Sequence, residues 1–188
     1  SRQGQHDSRP KRFRVKHAWT PKRLGHLQLD TIVKFQEGLR RYAVSCMDVR
    51  GKFTLTLVYP QLTSTTALDV LLKFQAVYPV PIQSVQTDNG LEFQGAFDRY
   101  LSQQGIAHYF TYPRCPKINA YIERYNRTFQ EEFWDGHLDL MHHPSEFHQK
   151  LLDYLLFFNT QRVHQGLGNQ TPMDYLLTEG CFSQKCAT

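Results

Sequence analysis

Three carboxylates stand in positions from which they could do chemistry together. Asp30 lies in the strand-like run His26–Val33, and Asp88 closes a second such run at Ile82–Asp88. Glu123 lies inside a helical run from about Lys117 to Trp134. Each has an ordinary reading on its own: Asp30 and Asp88 suit turns, the latter followed by Asn89-Gly90, and Glu123 suits an exposed helix position. Taken together they match what a hard cation such as Mg²⁺ needs: oxygen ligands, with coordination positions left open for water and phosphate oxygens. Two such ions about 4 Å apart activate the attacking oxygen and stabilise the leaving oxygen of an in-line phosphoryl displacement. That chemistry needs no serine or cysteine paired with histidine, and no obvious pair is present. Glu92, four residues after Asp88, competes as a ligand.

The elements that must position these acids can be read from periodicity. Residues 26–33, Arg41–Val49 and Lys52–Tyr59 carry β-formers, and Asp48-Val49-Arg50-Gly51 suits a tight turn, so an antiparallel meander is expected. Thr63–Thr66 reads as a capping region for a helix with Leu68, Leu71 and Leu72 at helical spacing, ended by Pro79 and Pro81. A strand over residues 82–88 follows, then a helix over Leu91–Gln104 stopped by Gly105, and a short strand at Ile106–Phe110. Helices from about Lys117 to Trp134 and from about Pro144 to Gln161 complete the pattern. The order implies an α/β fold, a mixed sheet with helices packed on it. On the helix of Glu123, the residues Asn119, Glu123, Asn126, Arg127 and Gln130 are spaced to share one face.

The formal charge of +5 over 188 residues is unevenly placed. Residues 1–23 hold eight basic side chains against Asp7, a net +7, and the rest of the chain nets −2. A near-neutral body with a basic arm suits a core that gathers cations and an extension that meets phosphates. Pro10 and Pro21 discourage a continuous helix there, so the arm is expected to stay extended and flexible, with Arg12, Arg14 and Lys16 as phosphate contacts. Lys117, Asn119, Arg124 and Arg127 are the corresponding candidates on the core. Cys46, Cys115, Cys181 and Cys186 form no C-x-x-C pair and read as reduced thiols, and the histidines around His142-His143 lack a zinc-finger partner pattern. No apolar run is long enough for a bilayer and no signal peptide is visible, so a soluble protein is expected.

Two stretches, Gln86-Thr87-Asp88-Asn89-Gly90-Leu91-Glu92-Phe93 and Lys117-Ile118-Asn119-Ala120-Tyr121-Ile122-Glu123-Arg124-Tyr125-Asn126-Arg127-Thr128, carry a family resemblance. A third, Phe158–Leu167 running on to Thr171-Pro172-Met173-Asp174-Tyr175, joins them. In this order they resemble the catalytic core of retroviral-type integrases, in the version found in bacterial insertion-sequence transposases. The resemblance covers residues 24–178, leaving 1–23 as arm or linker and 179–188 as a tail. It implies an RNase H-like fold with a five-stranded mixed sheet flanked by helices, and an Asp-Asp-Glu triad on Asp30, Asp88 and Glu123, the last two with 34 residues between them. It further implies Mg²⁺ or Mn²⁺, two ions per site, and DNA cleavage followed by strand transfer. Element ends and target DNA would be the partners, and a homodimer or higher oligomer the working form. The implied location is a bacterial cytoplasm, at the nucleoid, with a DNA-binding domain ahead of the core on a longer parent chain. Cys115, where a small residue is usual, and Val163, where proline is usual, depart from the pattern without touching the acids. Two alternatives remain at this point: an RNase H-like nuclease limited to hydrolysis, and a non-catalytic DNA-binding protein derived from a transposase.

Overall fold

A computed structural model describes residues 12–111 and 118–185, with side chains described as far as residue 179. The strands are β1 (Arg12–Arg14), β2 (His26–Gln36), β3 (Leu39–Asp48), β4 (Thr54–Tyr59), β5 (Ser84–Thr87) and β6 (Ala107–Phe110). The helices are α1 (Ser64–Val77), α2 (Ala96–Gln103), α3 (Ala120–Phe129), α4 (Pro144–Thr160) and α5 (Pro172–Lys185). The sheet order is β1-β6-β5-β2-β3-β4. Antiparallel pairing joins β2 to β3 and β3 to β4; β5 pairs parallel with β2 and β6, and β1 parallel with β6. The expected meander and five-stranded mixed sheet are therefore present as β2–β6.

Alternation along β2 divides the sheet into two faces. Leu27 and Leu29 are fully buried in an apolar cluster with Val70, Leu71 and Phe74 of α1 and Phe97 and Leu101 of α2. The opposite face packs on a second, aromatic-rich cluster that includes Ile122, Tyr125 and Phe129 of α3 and Leu151, Leu155 and Phe158 of α4. Gln28 and Asp30, one step out of phase with the leucines, belong to that second face. Helix α1 opens as its sequence predicts: the Thr63 hydroxyl accepts from the Thr66 amide at 3.2 Å, and the Thr66 hydroxyl accepts from the Thr63 amide at 2.9 Å. The β3–β4 turn is held by Asp48, whose buried carboxylate accepts hydrogen bonds from the Gly25 and Gly51 amides and the Tyr78 hydroxyl.

The structure corrects four expectations. Three residues of the basic arm are strand, not free tail: Arg12, Phe13 and Arg14 lie in register with His108, Tyr109 and Phe110. The exposed edge of β6 supplies unpaired backbone groups that a short extended segment satisfies without any apolar periodicity of its own. The helix expected from Leu91 is a 3-10 turn at Leu91–Phe93, and α2 begins only at Ala96, because Gly95 turns left-handed at φ 64°. The helix of Glu123 is regular over α3 alone and then widens into a π-type turn at Gln130–Trp134. Beyond residue 178, where a tail was expected, α5 continues to Lys185.

Candidate active site

Register places the first two acids. Gln28 of β2 is the Cα partner of Gln86 on the adjacent parallel strand β5. Asp30 and Asp88 each lie two residues beyond these partners, Asp30 within β2 and Asp88 just past the end of β5, and alternation puts Asp30 on the same face as Gln28. The glutamines in turn place the third acid. Gln28 and Gln86 are buried, and both side-chain amides donate to the Ile118 carbonyl, at 3.2 and 2.9 Å. Gln86 also donates to the Asn119 side chain at 2.7 Å, and the Ile122 amide donates to the Gln28 side-chain oxygen at 3.1 Å. The start of α3 is thereby clamped onto the two acid-bearing strands, with Glu123 in its first turn.

The electrostatics agree with this placement. Burial first, then the charges of Asp88 and Glu123, push the Asp30 carboxyl up to about 6, against the opposing pull of hydrogen bonds from the Thr31 backbone and Asn126. Burial also raises Glu123, offset by the Arg127 guanidinium. The Asn126 amide donates to Asp30 at 2.9 Å, while its buried side-chain oxygen has no hydrogen-bond partner. Among the described residues no three His, Cys, Asp or Glu side chains draw together into a ready-made metal cage. The donor set nevertheless fits a hard cation: carboxylate oxygens that repel one another, beside an orphaned amide oxygen, on an open surface where Glu123 is exposed.

Glu92 takes a different position. A Cβ on Gly90 would fall 2.7 Å from the Glu92 carboxyl carbon and 2.9 Å from an Asp88 oxygen, so the two carboxyls are neighbours on either side of that glycine. The Glu92 carboxylate accepts from the Thr31 hydroxyl at 2.9 Å, and Thr31 alternates to the face opposite Asp30. Asp88 itself accepts from the Gly90 amide at 2.8 Å. Behind Asp88, the Thr87 hydroxyl donates to the Asp88 carbonyl at 2.7 Å and meets His108 at 3.0 Å. His108 bonds Asp98 at 2.9 Å, and Arg12 of β1 approaches Asp98 at 3.9 Å and donates to the Asn89 side chain at 3.2 Å.

The expected DNA contacts divide accordingly. Arg127 is exposed beside Glu123, and Lys16 is exposed on the arm. Arg12 is placed differently from the free arm expected: its guanidinium is mostly covered, turned to Asp98 and Asn89 and stacked over Phe110 at 4.6 Å. Asn119 is also placed differently, buried between Gln86 and Thr111 because it anchors α3. Arg14 lies in β1, and Arg124 is exposed on the flank of α3 away from Asp30. Lys117 lies outside the described residues. Reading the sequence missed Gln28 and Gln86, although each stands two residues before an acid on a strand, a spacing that marks a shared face.

Residues 104–172 match the family described as Integrase core domain. The catalytic core domain of the human T-cell leukaemia virus type 2 integrase, solved with magnesium, superposes with a TM-score of 0.67 at 16% identity, over 85% of this chain and 99% of that one. The catalytic core of bovine immunodeficiency virus integrase gives 0.63 at 17%, over 85% and 98%. Over residues 104–172 in sequence, and over most of its length in fold, the chain is similar to integrase cores. With those cores it shares the RNase H-like fold. The simian T-cell lymphotropic virus intasome also matches, with a TM-score of 0.71 at 17% identity, over 90% of this chain and 60% of that one. In sequence, the chain is 29% identical over 176 residues to a putative integrase of a Spiroplasma virus, spanning 82% of this chain. It is 32% identical over 94 residues, 50% of this chain, to an uncharacterized insertion-element protein of Xanthomonas euvesicatoria. The chain spans 48% and 27% of the lengths of these two relatives. No helix among its described residues is long and apolar enough to cross a membrane.

Proposed function

We propose that the chain is the catalytic core of a DNA transposase or integrase that cuts DNA at element ends and joins the exposed 3′-hydroxyl to target DNA. The observation that supports this reading is the clamp: two register-matched glutamines, each two residues before an acid, hold the start of the Glu123 helix against the strands of Asp30 and Asp88. Asp30, Asp88 and Glu123 would hold one or two Mg²⁺ or Mn²⁺ ions, with Asn126 oriented toward the same place. When bound, such ions activate the attacking oxygen and stabilise the leaving oxygen. The chain's own residues supply the rest. Asp30 is kept at a raised pKa until a cation relieves it, Asn126 holds its carboxylate in one orientation, and Arg127 partly offsets the charge of Glu123. The open surface at Glu123 admits a duplex, and a homodimer or larger assembly would present two such surfaces to paired element ends.

The direct test is Asp88→Asn, which keeps the side-chain shape and removes the charge that a hard cation requires. Nicking and joining of labelled element-end DNA with Mn²⁺ should disappear while duplex binding persists. A variant as active as the parent would exclude the metal role. A parent that binds DNA but neither nicks nor joins it with either ion would favour a non-catalytic DNA-binding protein, and nicking without joining would favour a hydrolytic nuclease.

A further inference from the structure

The motif that begins at Arg162 is not used by the acid site. It lines a cleft of about 500 Å³ on the other flank of α3, formed by the β3–β4 turn, by Tyr121, Arg124, Tyr125 and Thr128 of α3, and by the segment after α4. Among the residues lining it, Arg50, Lys52, Arg124, Arg162 and His164 carry basic groups, and none is Asp or Glu. Two carboxylates outside the lining act on it, Glu132 through its ion pair with Arg162 and the buried Asp48 through its charge on Lys52.

These groups are built into place rather than scattered on a surface. Lys52 occupies a left-handed turn position at φ 58°, donates to the Val49 carbonyl and lies 4.0 Å above the Tyr121 ring. Arg162 lies 5.4 Å above the Phe158 ring, and the His164 ring packs edge-on against the same ring at 5.0 Å. The Nε2 atom of His164 is buried without a hydrogen-bond partner. Burial is the main effect against positive charge here; Asp48 favours and Arg124 opposes the charge of Lys52, while Arg162 and Lys52 oppose and Glu132 favours that of His164. Cations gathered at this density, on aromatic faces and beside an orphaned ring nitrogen, are stabilised by a multivalent oxyanion.

We propose that this cleft is a second anion site, which seats a backbone phosphate of a DNA strand on Lys52, Arg124 and Arg162, with His164 completing the contact. The identity of the phosphate's carrier rests on the reading of the chain as a DNA-processing core; the anion site itself does not. Glu123 and Arg124 are consecutive on α3, and the helix is only about 10 Å across. A strand engaged at both flanks therefore has a fixed bearing relative to the acids.

The test uses the whole chain without metal, so that it is independent of catalysis. Binding of a labelled DNA duplex is followed by fluorescence anisotropy over a series of salt concentrations, for the parent, for Lys52→Gln/Arg124→Gln and for the control Lys73→Gln/Arg99→Gln on α1 and α2. The cleft variant should bind roughly tenfold more weakly at about 0.1 M salt, with the salt slope reduced by about 0.9 for each phosphate lost, and the control should match the parent. In parallel, the His164 ring resonances are followed by NMR with DNA or with inorganic phosphate as the probe. A shift with DNA supports the site. A shift with inorganic phosphate alone, with the cleft variant binding DNA like the control, would overturn it in favour of a small free anion, and no shift with either probe would overturn it outright. If DNA binds in the cleft but Mg²⁺ and Mn²⁺ support no cleavage, the catalytic reading fails and the cleft stands.

Discussion

On one flank of α3, Asp30 sits under burial and the charges of other carboxylates, and its pKa rises to about 6; on the other, burial lowers the pKa of Lys52 to about 8, with Arg124 adding to the fall and Asp48 working against it. The two shifts have opposite sign and the same meaning. On each flank burial disfavours the charged form of the group, at a cost to the stability of the free protein that a ligand of opposite charge would relieve on the reading proposed above. The difference lies in exposure of the clamp. The acids hang from strands and from a helix start fixed by buried amides, whereas the cations ride on a turn and on long side chains braced by aromatic rings.

The sharpest way to break this comparison is Asp30→Asn. Activity should fall on the order of 10³-fold or more, the scale on which loss of an electrostatic partner of the transition state acts. The metal-free variant should nevertheless be more stable than the parent. A carboxyl whose pKa is higher folded than unfolded lowers stability as pH rises from about 4 to about 6, and the deficit persists above that range. The asparagine should therefore gain on the order of 1–2 kcal/mol at pH 7.5 and nothing near pH 4, read as denaturant midpoints at the two pH values. Equal midpoints at pH 7.5 would mean that Asp30 carries no such strain.

Next in size is the clamp. Gln28→Leu/Gln86→Leu strips the Ile118 carbonyl and Ile122 amide of their partners and should cost about 2–4 kcal/mol, since each orphaned buried group costs about 1–3. Either single variant should lose less, because the other glutamine still reaches Ile118. Cation affinity should fall with the double variant, measured by Mn²⁺ titration, as α3 loosens.

A smaller effect is expected at Arg12. Arg12→Gln removes the approach to Asp98 and the bond to Asn89, and should lower the melting temperature by a few degrees, with a modest loss of activity through the Asp88–Asn89 turn. An unchanged melting temperature would return the arm to the role of a flexible phosphate contact. The smallest effect sharpens the mirror image: Lys52→Gln should leave metal-free stability within about 0.5 kcal/mol of the parent or slightly above it, because relief of repulsion is set against loss of the Tyr121 and Val49 contacts.

The sequence was most readable where pattern and chemistry coincide. Alternation in β2–β4, the threonine cap of α1 and the motif around each acid all pointed toward the elements found. It was least readable where a tertiary partner decides. The three residues of β1 have no pattern of their own and are strand only because β6 offers an edge. Gln28 and Gln86 look like surface residues until Ile118 arrives over them. Asn119 shares a helical face with Glu123 on paper, but it precedes the first turn of α3 and is drawn inward by Gln86. The basic cleft joins Lys52, Arg124 and Arg162 from distant parts of the chain, and no local spacing announces it.

The parallel pairing of β2 with β5 has a metrological consequence. Gln28 and Gln86 are partners on neighbouring strands and each acid follows two residues later, so the gauge between the strands that carry them is the interstrand spacing, about 4.8 Å. Backbone hydrogen bonds set that gauge, and they are indifferent to which side chains the strands carry. Substitution can therefore rewrite most of a sheet without recalibrating it, which accounts for a fold still recognisable at 16% identity. A one-residue slip between the strands would do what wholesale substitution does not: it would turn one acid to the opposite face.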